Sequence, residues 1–593
     1  MWDHPGLDDL FGEVLEGGLS RRDVLQRALG MGLAAPVIAG LLAACGGSSP
    51  APATSAAVVT TPTVIPTAQP ARAASSPAAS PAATSTQAAA AIKTGGQLTY
   101  GDGSEPTGLD PNGLSGVNAH TIDMQMFDML LAMDDQYQLY PSLATSWKLQ
   151  PDGMSYTLTL RKDVKFHDGT PFNADAVKFT LDRIKDPATK SSSAIAILGA
   201  FYTGTDVVDD STVTVHFSKP FAPFLGGLST AFMGMVSPTA VKKYGDNFPL
   251  NPVGSGPFMF KEWVQKQTCT IVKNPDYNWA PTTFKHQGAA YLDQITFRFV
   301  PEDSARQALL DTGEAQFIDF VPWQNVARVK SDANYQMLIA PRPGGPFLMD
   351  LNVAKPPFDQ LEVRQAMNYA INKADILKTL YFNVFQPAGT PLSPATFGYD
   401  ASVETVYSYD QAKAQQLLDQ AGWTMGSNGV RVKNGQPFNL KCLISTLPEY
   451  SSISQIIQAQ LKPLGITIDI QAIAGTALTA AERRGDQNID FKIAVYQDPD
   501  IMGIYFGSRS IGGFNFAQFK DPQMDALFDQ GDATLDPNQR KQIYAQASRT
   551  LMEKAPLVPI YYLSNLSAAT NKLQGMFHDT GGYFWFYDAW LKG

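Results

Sequence analysis

The segment from residue 46 to residue 92 sets the strongest limit on what this chain folds into. It consists almost throughout of Ala, Ser, Thr and Pro, lacks aromatic residues, and carries Arg72 as its only charge. Such a segment cannot bury enough apolar surface to offset the entropy lost on ordering it. Its recurring prolines favour an extended chain of roughly 3 Å per residue. We therefore predict a disordered linker over 46–92 and a globular body from Lys93 onward.

The residues before the linker resemble an export signal. Arg21 and Arg22 precede an apolar run over residues 28–44, which is shorter than the ~20 residues that a membrane span needs. Small residues then lead to Cys45. The arginine pair is similar to a twin-arginine signal, and the end of the run is similar to a lipoprotein box. We expect residues 1–45 to be a signal peptide whose lipidated Cys45 holds the mature protein on the outer face of a membrane. An uncleaved anchor helix is the alternative.

The composition of the whole chain bounds its function. The 593 residues are 44% hydrophobic, which is enough for a large core and more than one domain. The net charge of −10 comes without a basic patch, so we expect no nucleic-acid partner. Neither the three cysteines nor the six histidines have the spacing of a metal or redox site. We therefore predict no metal, no cofactor and no disulfide framework.

Strand and helix patterns alternate through the globular body. Turn residues precede short runs in which apolar and polar residues alternate, as in half-buried strands. Helical runs end at glycines, which favour the helix C-terminus. The clearest predicted strands are 156–160, 213–217 and 466–470, and the clearest predicted helices are one begun by a capping box of Asp359 and Glu362, one over 410–420 ended by Gly422, and one over 453–461. This order predicts an α/β fold.

Eight short motifs follow one another in an order that resembles one protein family. They are Gly95-Gly96-Gln97-Leu98, Leu109-Asp110-Pro111, Pro141 to Trp147, Leu160 to Gly169, Val253 to Phe258, Asn274 to Tyr277, Pro357-Phe358-Asp359 and Val363 to Ala366. Together they resemble the family 5 extracellular solute-binding proteins, which include dipeptide-, oligopeptide- and nickel-binding components of ABC importers. The similarity extends from about Gly95 to the C-terminus.

The resemblance implies two α/β lobes joined by a hinge, with the ligand trapped between them. By analogy, lobe one covers 93–342 with an extra subdomain at about 137–245, lobe two covers 343–558, and the segment 559–593 returns to lobe one. The implied protein is a monomer that delivers a small or peptide-like ligand to permease subunits and is not an enzyme. Cys269 and Cys442 then lie in different lobes, so we predict that both are free thiols.

Three motifs that suggest chemistry have structural explanations. His167-Asp168-Gly169 is typical of a turn in which Asp bonds its own backbone and Gly supplies a positive φ. Gly254-Ser255-Gly256 lacks the pattern and setting of a nucleophile loop. For Arg364 we expect a structural ion pair with Glu362 or Asp359.

The segment Ala494 to Pro499 bears on the kind of ligand. In peptide-binding relatives it reads roughly Ala-Asp-Tyr-x-Asp-Pro, and its first Asp accepts the ligand's α-amino group. Here Val495 stands in that place, and an apolar side chain cannot hold an ammonium. Asp498 or Asp500 either replaces the missing carboxylate or caps a turn. The sequence therefore favours a neutral or sugar-like ligand, or a blocked peptide, over a peptide with a free amine.

The remaining candidates for ligand contact lie in segments that face the cleft in relatives. They are Glu105, Trp323, Phe347, Tyr381, Phe385, Tyr496, Gln497, Asp498, Asp500, Tyr505 and Phe506. Trp323 is the foremost aromatic candidate because it follows Pro322 in a polar loop. Glu105 follows the first strand, and loops at strand ends reach ligands in open α/β sheets. Core packing is the alternative for each aromatic residue. The alternative functions are a secreted hydrolase and a receptor or chaperone of the same fold.

Overall fold

The computed structural model describes residues 92–113 and 116–593. The predicted signal peptide, Cys45 and almost all of the predicted linker lie outside these residues. Within the described part of the chain, no helix combines the length and the apolar character needed to cross a membrane.

A seven-stranded mixed sheet forms the first half of the fold. Its central strand, Gln97–Asp102, buries Leu98 and Tyr100 on alternate positions and runs parallel to Gln294–Phe299 and Phe317–Ile318. In spatial order the strands are Tyr335–Pro341, Ser564–Thr570, Phe317–Ile318, Gln97–Asp102, Gln294–Phe299, Thr268–Lys273 and Phe258–Val264.

A six-stranded sheet forms the second half. Its strand Phe347–Leu351 is buried at every position, as expected for a central strand covered on both faces. In spatial order the strands are Gln386–Pro387, Leu557–Tyr562, Phe347–Leu351, Ile489–Lys492, Asn439–Ser445 and Thr467–Ile473. Each of the two sheets contributes to an apolar core cluster of its own.

The chain passes between the two sheets at two places. The first crossing lies between Pro341 and Phe347, and the second is at Leu563. The backbone N–H of Arg342 donates to the carbonyl oxygen of Leu563 at 3.0 Å, so the two crossing segments lie side by side. The predicted boundary before residue 559 falls inside the strand Leu557–Tyr562 of the second sheet.

A four-stranded antiparallel sheet lies within the predicted extra subdomain. Its strands are Ala144–Leu149, Ser155–Leu160, Thr212–Phe217 and Tyr202–Asp209 in spatial order. The strands predicted at 156–160 and 213–217 are therefore confirmed, and each begins one residue earlier than predicted. The smaller strands are Leu131–Met133 with Leu139–Pro141; Thr424–Met425, Arg431–Lys433 and Gln436–Pro437; Leu573–Gln574 with Trp590–Leu591; and Phe577–His578 with Phe584–Trp585.

Helices cover the sheets. In chain order the described α-helices are Gly116–Met126, Ala174–Lys185, Ser193–Leu198, Pro223–Gly227, Pro238–Tyr244, Asp303–Asp311, Val326–Ser331, Leu361–Ala370, Lys373–Tyr381, Gln411–Gln420, Pro448–Leu461, Gly475–Arg484, Ile501–Phe506, Pro522–Ala533 and Pro537–Lys554. The predicted helix over 410–420 is confirmed, with Asp410 as its N-cap. The helix predicted at 453–461 begins earlier, at Pro448, because proline is well tolerated in a first helical turn.

The predicted capping box of Asp359 and Glu362 is wrong. The N-cap residue is Gln360, whose side chain makes no capping hydrogen bond. Its amide instead contacts Trp423 and the carbonyl oxygen of Ala421, so the helix starts one residue later than the pattern required. The prediction of two free thiols is confirmed: Cys269 and Cys442 are buried, unpaired, and located in different sheets.

Candidate functional site

A cavity of about 410 Å³ lies where the four-stranded sheet faces loops of the second sheet. We call it the main cavity. One wall comes from the small sheet, the hairpin before it and the helix Pro223–Gly227, and the other comes from loops that follow strands or helices of the second half. Its lining is Met133, Tyr137, Leu139, Trp147, Leu149, Tyr156, Ala222, Pro223, Leu225, Gly226, Gly227, Thr230, Phe397, Tyr496, Gln497, Asp498, Leu535, Pro537 and Arg540. Most of this surface is aromatic or aliphatic, as in sites that enclose small molecules.

The loop after the strand Ile489–Lys492 delivers Tyr496 to the cavity. Just before it, Val495 forms an antiparallel bridge with Gly344 in the first crossing segment. Gly344 has a φ of +104°, and a Cβ there would lie 2.3 Å from the carbonyl oxygen of Ala494. Only glycine fits this approach, so the crossing segment fixes the position of the loop.

The two charged residues that line the main cavity neutralise each other. The Arg540 guanidinium donates to both carboxylate oxygens of Asp498, at 2.7 and 2.6 Å, which is the strong bidentate arrangement. Arg540 also donates to the carbonyl oxygen of Gly531, and its charge lies 5.7 Å from the ring centre of Phe397. Asp498 is therefore committed to a partner within the fold.

Asp500 is not available to a ligand in this cavity. Its residue is 8% exposed, and its carboxylate accepts from Arg509 at 3.4 Å. Burial raises its pKa well above the ordinary value, and the neighbouring carboxylate of Asp532 raises that pKa further. Neither Asp498 nor Asp500 stands free in the place of the acceptor that Val495 lacks.

Four of the predicted aromatic contacts pack together away from the main cavity. Trp323 meets Tyr381 edge-on at 5.2 Å between ring centres, and Phe347 and Phe385 stack on the two sides of Tyr561. The hydroxyls of Tyr381 and Tyr561 both donate to Glu449, at 2.5 and 2.8 Å. In the structure these four residues contact one another and Tyr561 rather than the main cavity.

Of the other predicted contacts, some line the main cavity and others pack elsewhere within the fold. Tyr496, Gln497 and Asp498 line the main cavity. Glu105 instead accepts hydrogen bonds from the indole of Trp263 at 3.0 Å and the backbone N–H of Lys266 at 2.7 Å, which holds a hairpin of the first sheet. Tyr496, Gln497 and Asp498 are therefore placed to contact a ligand in the main cavity, whereas Glu105 is engaged within the first sheet.

Tyr505 and Phe506 likewise lie outside the lining of the main cavity. They lie against Lys492, whose ammonium nitrogen is 4.5 and 4.6 Å from their ring centres. Both residues face the interior of the second half of the fold.

Sequence reasoning missed several lining residues, notably Tyr137, Trp147, Tyr156, Phe397 and Arg540. They come from widely separated segments, and each segment also reads as ordinary core or loop. One local signal exists: Tyr137 has a φ of 62°, a strained conformation for an aromatic residue, and donates to the carbonyl oxygen of Ala395 across the cavity wall. That signal becomes visible only in the folded chain.

The structural explanations of two motifs are confirmed. Gly169 has a φ of 82°, and Asp168 accepts from the backbone N–H of Thr170. Ser255 is fully buried and donates to Asp128 at 2.9 Å. His167 contacts the carbonyl oxygen of Gly256, and burial lowers the pKa of its imidazole to about 4.

The predicted partner of Arg364 is wrong. Its guanidinium donates to the carbonyl oxygens of Lys554 and Phe358, at 2.9 and 2.8 Å. These oxygens belong to a helix end and a turn, so Arg364 satisfies backbone acceptors that would otherwise lack a donor.

Known proteins share both the sequence and the architecture. The chain is 31% identical over 502 residues to the glutathione-binding protein GsiB of Escherichia coli O1:K1, covering 83% of this chain and 93% of that protein. It is 26% identical to DppA of Helicobacter pylori, an ABC transporter-associated periplasmic binding protein solved with the peptide STSA. The TM-score is 0.70, and the match covers 84% of this chain and 99% of that one.

A further likeness concerns the fold alone. NikA of Brucella suis, solved with Fe(III)-EDTA, has a TM-score of 0.75 at 23% identity, covering 84% of this chain and all of that one. The family model of the bacterial extracellular solute-binding proteins, family 5 (middle region), matches residues 138–515. The chain therefore belongs to the family 5 extracellular solute-binding proteins, two-lobed proteins whose function is to bind a solute.

Proposed function

We propose that this protein is the extracytoplasmic substrate-binding component of an ABC importer. It captures a solute in the main cavity by closure of its two halves about the paired crossing segments and hands it to permease subunits. The association of DppA with an ABC transporter supports this role. The protein acts as a monomer, and its ligand leaves chemically unchanged.

The ligand presents a neutral, largely apolar body to the main cavity. One observation carries this proposal: among the described lining residues, the one carboxylate and the one guanidinium, Asp498 and Arg540, bind each other. An ammonium buried there would lack a partner, at a cost of several kcal/mol. The aromatic and aliphatic lining instead favours side chains that gain from burial.

Two relatives narrow the class of ligand that we propose. GsiB is a glutathione-binding protein, and DppA was solved with a peptide. A peptide-like ligand whose amine is blocked combines that chemistry with the neutral lining found here. An oligosaccharide is the second candidate, since Trp147, Tyr156 and Phe397 offer rings for stacking. It fits less well because the lining has few polar groups to bond hydroxyls.

Calorimetric titration with matched peptides tests the ligand class. Apolar di- and tripeptide carboxamides are compared in their free-amine and N-acetylated forms. We expect the acetylated forms to bind at least 10-fold more tightly, since 1.4 kcal/mol corresponds to a factor of ten. Sub-micromolar binding of the free forms that is lost on acetylation would assign the ammonium to another carboxylate and overturn the proposal.

We also propose export with a lipid anchor at Cys45, supported by the Arg21-Arg22 pair and the small residues before Cys45. The Cys45→Ala variant should appear in the soluble fraction or remain unprocessed. Recovery of this variant as an unchanged, detergent-extractable lipoprotein would contradict the anchor.

A further inference from the structure

Arg342 lies at the point where the chain leaves the first sheet for the second. It is the first residue after Tyr335–Pro341, an edge strand of the first sheet, and it opens the first crossing between the sheets. Its N–H donates to Leu563 at 3.0 Å, and its carbonyl oxygen accepts from the hydroxyl of Ser393 at 2.7 Å. Both crossings and a loop of the second half thus fix its backbone.

Most N–H donors of the Arg342 guanidinium have no acceptor among the described residues. An arginine carries five N–H donors, yet within the described part of the chain the side chain of Arg342 makes one hydrogen bond, a long contact of 3.5 Å from Nη2 to the hydroxyl of Tyr583. The Nε–H is buried and has no acceptor among the described residues. A buried donor without a partner is costly, so this side chain is poised for an acceptor that the fold itself does not supply.

Three buried arginines show what a fully hydrogen-bonded guanidinium looks like in this protein. Arg306 donates to several carbonyl oxygens and to Asp303. Arg431 and Arg540 each pair with an aspartate. Arg342 forms none of the ion pairs found in the described part of the chain, so its positive charge is uncompensated by contact.

The side chain lines a second, smaller cavity of about 190 Å³. We call it the hinge cavity. Asp102 ends the central strand of the first sheet and Asp319 follows the strand parallel to it, so the cavity lies at the carboxyl ends of strands, where α/β sheets bind ligands. Asn565 and Tyr583 add further polar groups.

The two acids of the hinge cavity do not serve as partners for Arg342. Asp102 accepts from the N–H of Ser104 and Asp319 from that of Gly103, and the cation beside Asp319 is Arg306, at 3.6 Å. Burial raises the pKa of Asp319 to about 7 and that of Asp102 well above its ordinary value, while Arg306 lowers both. Burial therefore disfavours the charged form of both acids.

The hinge cavity and the main cavity are close neighbours. Ser393 bonds Arg342, and Phe397, which lines the main cavity, follows four residues later. That stretch spans at most about 14 Å when fully extended. Between them, Ala395 accepts from Tyr137 of the main cavity, so the separation of the two cavities is within the length of a short peptide.

We propose that Arg342 is a specificity-determining residue that binds an anionic group of the ligand, a carboxylate, while the ligand's apolar body occupies the main cavity. This assignment rests on the proposed solute-binding function and makes the ligand class an apolar, amine-blocked acid of peptide-like size. The planar guanidinium binds a carboxylate through two parallel hydrogen bonds.

Titration of one N-acetylated apolar dipeptide, as the free acid and as the carboxamide, tests the assignment. We expect the wild-type protein to bind the acid about 10- to 100-fold more tightly, as charge-assisted hydrogen bonds provide. Arg342→Gln should remove most of that difference, mainly by weakening the binding of the acid. Arg342→Lys should keep part of it, because a lysine retains the charge without the fork. Arg483→Gln, at an exposed arginine, is the matched control, and melting curves verify folding of each variant.

The outcomes separate this assignment from the function on which it rests. Equal affinities of acid and carboxamide for the wild type, or a preference for the acid that survives in Arg342→Gln, overturn the role of Arg342 alone. Failure of both forms to bind the wild type overturns the proposed ligand class as well.

Discussion

Val495 stands where the resemblance to peptide-binding proteins leads us to expect an amine-accepting aspartate. Its side chain is half-buried against the core of the second half of the fold, and its backbone is held by Gly344. The position is thus rigid and apolar. Position 495 suits a test by substitution, because its backbone is held in place and a new side chain should change the local chemistry alone.

Restoring the carboxylate should change the ligand preference. We expect Val495→Asp to strengthen binding of free-amine apolar dipeptides by about 1.5–3 kcal/mol, the value of a hydrogen bond to a charged group. Val495→Asn adds similar polarity without charge and should not produce this gain. Calorimetry with free and acetylated peptides measures both variants. Equal behaviour of the two would show that position 495 does not face the ligand's amine.

Between the paired strands Phe347–Leu351 and Ile489–Lys492 lies a buried charge cluster. Asp350 and Asp490 are opposite each other, and the ammonium of Lys492 is 2.6 Å from Asp350. Glu482, on the helix Gly475–Arg484, is 5% exposed. Burial and mutual repulsion raise the pKa of Glu482 to about 7, while Lys492 lowers it. One cation thus serves three buried acids.

Stability should fall with rising pH through this cluster. Because the folded pKa of Glu482 lies above its ordinary value of 4.5, its contribution is fully present below about pH 4.5 and is lost as the pH rises through about 7. We expect Glu482→Gln to gain about 2 kcal/mol over the wild type at pH 8 and little at pH 4.5. Denaturant unfolding at both pH values measures this, with the exposed Glu553→Gln as control. An equal effect at both pH values would contradict the role of ionisation.

Elements were predictable where local chemistry decides them. The strands at 156–160 and 213–217 follow from alternation and turn residues, and the helix Gln411–Gln420 follows from its aspartate cap. The capping box at Asp359 failed because the amide of Gln360 is engaged by Trp423, a tertiary contact with no local signal. Local patterns therefore predict the elements better than their ends.

The arrangement of distant segments in the whole molecule was the least predictable from the sequence. The ordered motifs indicated two lobes, and the family match confirms that architecture. The main cavity, however, combines residues as distant as Tyr137 and Arg540. The ion pair that removes Asp498 from ligand binding joins residues 42 positions apart. Neither is encoded in a local pattern, so the aromatic residues picked from single segments included a packed cluster around Tyr561.

If the main cavity holds the ligand, a side chain that fills this cavity should block binding. Gly226 lines the cavity, and a Cβ there would lie 3.4 Å from Met133, an ordinary contact distance. The measurement is calorimetric titration of an N-acetylated apolar dipeptide into Gly226→Leu, with the exposed helix variant Ala480→Leu as control. We predict at least a 10-fold loss of affinity in Gly226→Leu, about 1.4 kcal/mol, and none in Ala480→Leu. Wild-type affinity in a folded Gly226→Leu protein would contradict the account.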